Sequence, residues 1–107
     1  MVKIRYCGCI FCTERIKFVW NEEKARINPV NHDGVTFQQA TEAFFYPFLV
    51  VVDGSRNDEE RDAVIGLDKR WNLLYVVYVV YVERENDLIR IISARKVTRK
   101  EDECYEN

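Results

Sequence analysis

The 107-residue sequence contains one histidine, His32, two serines, Ser55 and Ser93, two prolines and four scattered glycines, and each shortage removes a class of chemistry. A single histidine excludes a histidine acid–base pair and a His-rich metal site. Neither serine stands in a nucleophile-elbow motif. The glycines at positions 8, 34, 54 and 66 form no strand–Gly-x-Gly-x-x-Gly–helix unit, so no cofactor is expected. The longest apolar run, Leu73 to Val82, falls far short of the roughly 20 residues of a membrane-spanning helix and reads as a buried strand. The N-terminus lacks an apolar segment followed by a small-residue cleavage site, which predicts a cytoplasmic protein with reduced thiols and no membrane contact.

What is present is a globular balance, 48% hydrophobic and 32% charged residues in a length that suits one domain. The net charge is only −2, yet the segment from Arg90 to Lys100 carries Arg90, Arg95, Lys96, Arg99 and Lys100 without one carboxylate. A basic strand of this kind suits a phosphate-rich partner. The N-terminal extension, residues 1–16, holds Cys7, Cys9 and Cys12 in a Cys-x-Cys-x-x-Cys spacing, with Cys104 or His32 as a conceivable fourth metal ligand. A tetrahedral zinc site needs four ligands and the fourth is not clearly supplied, so half-buried thiols of a β-like segment are the preferred reading.

Residues 17–107 form the patterned part. Lys17 to Trp20 reads as a short strand with Phe18 and Trp20 on one side, and Asn21 as the N-cap of a helix that opens on Glu22 and Glu23 and ends near Ile27 or Asn28, where Pro29 stops or kinks it. After the turn cluster Asn31-His32-Asp33-Gly34, Thr36 and Gln39 make a capping box for a second helix, whose Phe37, Ala40, Ala43 and Phe44 share a core face until Pro47 closes it. From Phe48 the pattern is β: Leu49 to Val52, Arg61 to Leu67, Leu73 to Arg84 and Leu88 to Val97, joined by short turns that favour antiparallel hairpins. The charged tail from Thr98 is expected to form a short helix. The fold class is therefore α+β: two N-terminal helices packed on a three- or four-stranded antiparallel sheet, with a short C-terminal helix.

Strand parity organises the ionisable groups. Leu73, Tyr75, Val77, Val79, Tyr81 and Glu83 share one face of their strand and Arg84 lies on the other. In the next strand Arg90 and Arg95 have opposite parity, so they meet on one face only if a bulge intervenes. The plainer reading of these groups is an exposed sheet face with cross-strand ion pairs.

Several segments occur in an order that resembles a known family: Phe18 to Ala25, Asn28 to Phe37 with His32 and Gly34, Glu59-Glu60-Arg61, Ile65-Gly66-Leu67, Glu83-Arg84, and Arg90-Ile91-Ile92-Ser93-Ala94-Arg95-Lys96. Together they resemble the BrnT family, the toxin half of bacterial BrnT/BrnA toxin–antitoxin pairs. The resemblance implies a RelE-like fold, metal-independent endoribonuclease activity that inhibits translation, and neutralisation by a BrnA-like antitoxin through which any DNA contact is indirect. The sequence departs from the family where Asn31-His32-Asp33-Gly34 replaces Lys-His-Gly, which leaves His32 a helix-end or loop-packing role.

The groups available fit attack of an RNA 2′-hydroxyl on its own phosphate. Glu83, with a pKa raised by partial burial beside Tyr81, is the candidate base. Arg90 and Arg95 are first choices for holding phosphate oxygens, since the guanidinium fork binds two at once. Arg61 and Arg84 are second choices, carried over from the Glu-Glu-Arg and Glu-Arg matches. Lys96, Arg99 and Lys100 would follow the RNA backbone. The competing functions are a non-catalytic binding module of the same fold, acting as antitoxin partner or co-repressor, and a metal-binding protein built on the cysteines.

Overall fold

In the computed structural model the described residues are 4–6, 16–83 and 86–98, with side chains over 16–81 and 87–98. Strand β1 (Ile4–Tyr6) and strand β2 (Ile16–Asn21) precede helices α1 (Glu22–Asn31) and α2 (Phe37–Ala43). Strands β3 (Val50–Asp53), β4 (Asp62–Leu67), β5 (Leu73–Glu83) and β6 (Asn86–Lys96) follow. The six strands form one sheet in the order β1-β2-β6-β5-β4-β3. Every neighbouring pair is antiparallel except β2 and β6, which run parallel, with Val19 beside Arg90.

This corrects the expected RelE-like arrangement. Among the described residues the sheet has six strands and is mixed, not three or four antiparallel strands, and the helices that pack on it are only ten and seven residues long. The physical reason is β2. Its own residues read as a strand, but its partner lies across the whole α1-to-β5 connection, and a parallel pairing over that distance leaves no turn signal between partners. The expected C-terminal helix falls outside the described residues.

Local chemistry explains the helices. The Asn21 side chain accepts from Lys24 N at 3.1 Å, and Thr36 and Gln39 make the reciprocal capping box, with Gln39 N donating to Thr36 Oγ1 at 3.1 Å and Thr36 N to Gln39 Oε1 at 2.9 Å. Pro29 neither stops α1 at Asn28 nor ends it, and the helix runs on to Asn31. His32 then caps it, its N–H donating to Asn28 O at 2.9 Å, and Gly34 supplies a φ of +81° for the exit. α2 ends at Ala43, before Pro47, in turns where Phe45 N donates to Glu42 O and Tyr46 N to Ala43 O.

Both helices cover one face of the sheet. Phe18, Trp20, Val64, Leu74, Val76, Tyr78, Ile91 and Ala94 point into a core shared with Val35, Phe37, Ala40 and Ala43. Aromatic edges lock it: Phe44 meets Phe18 at 5.2 Å and Tyr78 at 4.9 Å between ring centroids, and Trp20 meets Phe37 at 5.9 Å. α2 approaches β4 so closely that a Cβ on Gly66 would lie 2.5 Å from Ala43 O. Gly66→Ala is therefore expected to cost about 1–3 kcal/mol of unfolding free energy by forcing α2 off the sheet; denaturant titration of the variant measures it, and an unchanged midpoint would contradict the packing described.

Candidate functional site

The opposite sheet face carries the candidate residues, and one irregularity sets their arrangement. The β5–β6 register shifts between Val77 and Tyr78: Val77 faces Ser93 while Tyr78 faces Ile91, so Ile92 is an extra residue in β6. This is the bulge on which the alignment of Arg90 and Arg95 depends. Before it, Ile91 shares the helix-covered face with Tyr78; after it, Ala94 shares that face with Val76. Arg90, in register with Val79, and Arg95, in register with Tyr75, therefore both belong to the open face.

Sharing a face does not bring them to one phosphate. The rows of Val79 and Tyr75 are four residues apart, about 13 Å along the strand. Arg95 instead lies over the Tyr75 ring, its guanidinium carbon 4.2 Å from the centroid, and its Nη1 donates to Lys96 O at 3.3 Å. Glu83 ends β5 in register with Asn86 and has the strand parity of Val79 and Tyr81. The row of Tyr81, a residue 46% exposed, separates those of Glu83 and Arg90, whose Cα positions are again about 13 Å apart. The structure thus sets Glu83, Tyr81 and Arg90 in one stretch and Arg95 with Tyr75 in another.

The remaining candidates scatter. Arg61 precedes β4 and ion-pairs with Glu59. It lines a notch of about 610 Å³ with Asp53, Ser55, Asp62 and Val79, formed where β4 starts and β5 projects past it. Lys96 is exposed but in register with Leu74, which gives it the parity of the helix-covered face. Arg84, Arg99, Lys100 and the cysteines Cys7, Cys9, Cys12 and Cys104 lie outside the described residues. Among the described residues no three His, Cys, Asp or Glu side chains are grouped to hold a metal ion.

Charge is divided between the two ends of the sheet. At the end where β3 finishes and β4 starts, residues 53–62 carry five acids, Asp53, Asp58, Glu59, Glu60 and Asp62, against Arg56 and Arg61. At the other end lie the β4–β5 turn with Lys69 and Arg70, and the last residues of β6, Arg95 and Lys96. Tyr78, between them, has its phenol pushed up by burial and by the charge of Asp62, so it stays protonated and serves as core.

Two polar side chains that the sequence did not single out organise this frame. Asn28 is buried, and its Nδ2 donates to Val35 O at 2.9 Å and Ala94 O at 2.8 Å while its Oδ1 accepts from Ala94 N at 3.3 Å. One amide thus satisfies the edge of β6 beyond the stretch paired with β2. Asp68, also buried, closes the β4–β5 turn. Its Oδ1 accepts from Arg70 N at 2.8 Å and Asn72 N at 2.9 Å, and its Oδ2 from Asn72 Nδ2 at 3.0 Å and Gln39 Nε2 at 3.1 Å. Burial pushes the carboxyl up, but the donors from Asn72, Arg70 and Gln39 together outweigh it and hold the pKa below the ordinary value. A depressed folded-state pKa stabilises above the unfolded value, near pH 4, and that stabilisation is lost as pH falls through the folded value. Asp68→Asn is expected to cost about 2 kcal/mol at neutral pH, because an NH₂ would then face two donors. Its deficit relative to wild type should shrink below about pH 4; a deficit constant from neutral pH down to acid unfolding would show that the charge is not what matters.

Comparison with known proteins bears on this frame directly. Residues 20–101 match the model of a family described as ribonuclease toxin, BrnT, of type II toxin–antitoxin system. No curated protein matches the chain. The match runs from the end of β2 to beyond β6 and so takes in both helices, the notch and the open face.

Proposed function

The chain belongs to the BrnT family of ribonuclease toxins of type II toxin–antitoxin systems, and so has an antitoxin protein as partner; from that premise we propose that it is a metal-independent endoribonuclease acting on RNA across the open face of its sheet. The observation that supports this best is the β6 bulge, which puts Arg90 on the open face, two rows from Glu83, with exposed Tyr81 in the row between. A phosphodiester lying over Tyr81 would stand midway between the row of Arg90 and that of Glu83, about 7 Å along the strands from each.

In this reading Glu83 accepts the proton of the 2′-hydroxyl, the 2′-oxygen bonds to the adjacent phosphorus, and the bond from phosphorus to the 5′-oxygen breaks, the leaving oxygen taking a proton from water. The products are a 2′,3′-cyclic phosphate and a 5′-hydroxyl. Arg90 neutralises charge gathering on the phosphoryl oxygens, which bidentate contact favours over a point charge. Arg95, held over Tyr75, contacts the RNA several nucleotides away instead of the reacting phosphate, and Lys96, Arg99 and Lys100 add affinity that falls with salt. Arg61 and Arg84 remain secondary candidates for the same backbone. The protein then acts in the cytoplasm, inhibits translation by cutting RNA, and is neutralised by a BrnA-like antitoxin.

Induced expression in a bacterial host tests the activity. Growth arrest with fragmented RNA, relieved by a co-expressed BrnA-like antitoxin, is the expected result. Soluble protein with normal growth and intact RNA would favour the second reading, a non-catalytic module of the same fold that serves as antitoxin partner or co-repressor.

A further inference from the structure

We infer that the β4–β5 turn is a second RNA contact, in which Trp71 stacks on an unpaired base and Lys69 and Arg70 hold the flanking phosphates. The inference rests on the ribonuclease reading and adds to it an anchor at the end of the sheet away from Glu83. Trp71 is 81% exposed, against 3% for Trp20, the other tryptophan of the chain. Its φ is +67°, in the left-handed region that bulky side chains rarely adopt and that glycine would occupy without strain.

That conformation is imposed from below. The Asp68 carboxylate gathers the Arg70 and Asn72 amides, Trp71 N donates to Asp68 O at 3.2 Å, and Lys69 N donates to Glu42 Oε1 at 3.0 Å, which ties the turn to α2. A large aromatic surface is thus held in water on a turn ordered by folding, so that little conformational freedom is left to lose when it is covered. Strain kept at an exposed position points to use of the side chain there.

The identity of what covers Trp71 follows from its neighbours. An isolated exposed tryptophan suits a protein partner as well as a base. Here two consecutive cations precede it, and Arg95 on Tyr75 and Lys96 stand at the same end of the sheet. An aromatic platform among cations is the combination that holds single-stranded nucleic acid. The excess of acids in segment 53–62 at the far end makes this end the favoured point of first contact for a polyanion. Between the turn and Glu83 lies the full length of β5, room for several nucleotides on the open face.

The test uses purified full-length protein and a short fluorescein-labelled single-stranded RNA carrying 2′-O-methyl groups, which block cleavage. Trp71→Ala is expected to weaken binding roughly 5- to 100-fold, with Trp71→Phe recovering part of the loss. RNA should quench the tryptophan emission of wild type but not of Trp71→Phe, which retains only buried Trp20. Arg70→Glu should lower the salt dependence of binding by about one phosphate contact. Unchanged affinity in Trp71→Ala, with wild type still cutting unmodified RNA, would overturn this inference alone. Loss of antitoxin binding in that variant, with RNA binding intact, would assign the turn to the protein partner and overturn it equally. A wild type that neither binds nor cuts RNA would remove the ribonuclease reading, and this inference with it.

Discussion

Asn28→Leu is expected to lower the unfolding free energy by roughly 3–5 kcal/mol, since each buried polar group left without a partner costs about 1–3 kcal/mol. The variant strands three: Val35 C=O, Ala94 C=O and Ala94 N–H. Leucine keeps the branched heavy-atom skeleton but offers no hydrogen bonds. For a domain of this size such a loss is a large part of total stability. The consequence reaches the open face, because Ala94 lies in the segment of β6 between the bulge and Arg95. Denaturant unfolding measures the cost, and a loss under about 1 kcal/mol would mean that water replaces the amide and that the tie between α1 and β6 is dispensable.

The second large effect concerns activity. Glu83→Gln is expected to lower the rate of RNA cleavage by about 10²–10⁴-fold, the usual contribution of a positioned general base. Binding of uncleavable RNA should stay within about twofold, because a base acts chiefly in the transition state. Thermal stability should be little changed, since Glu83 is the last residue of its strand. The logarithm of the wild-type rate should rise with pH until the carboxylate is ionised, and the variant should lack that limb. Equal loss of binding and rate would make Glu83 a substrate-positioning residue.

Local signals carried much of the fold. Asn21 and Thr36 were legible as caps because capping is a matter of a few consecutive residues; Phe37, Ala40 and Ala43 were legible as core, and Phe18 with Trp20 as one face of a strand, from periodicity alone. The four strands from Val50 onward fall close to their expected positions for the same reason. Pairing between distant segments was not legible. The parallel match of β2 with β6 and the addition of β1 to the sheet depend on contacts across most of the chain, so the expected three- or four-stranded antiparallel sheet became six strands and mixed. Helix endings also escaped, because Pro29 is tolerated where His32 and Gly34 close α1.

The candidate site divides in the same way. Parity placed Glu83 with Tyr81 and made the alignment of Arg90 with Arg95 conditional on a bulge; no residue of Arg90 to Arg95 announces where that bulge falls, and the register places it at Ile92. Asn28 and Asp68 were passed over because a buried asparagine or aspartate looks like any turn residue until its partners, Ala94 and Gln39, are brought close in space. Trp71 had a signal that could have been used: a tryptophan after Lys69 and Arg70 in a short turn between two strands.

Cleavage of end-labelled RNA by purified protein in the presence of a strong chelator separates attack by the 2′-hydroxyl from metal-assisted hydrolysis. Fragments ending in a 2′,3′-cyclic phosphate and beginning with a 5′-hydroxyl are expected, with no cut at a position whose 2′-hydroxyl is replaced by hydrogen. Cleavage that appears only when a divalent cation is added, or that leaves 5′-phosphates and proceeds through the 2′-deoxy position, would contradict it.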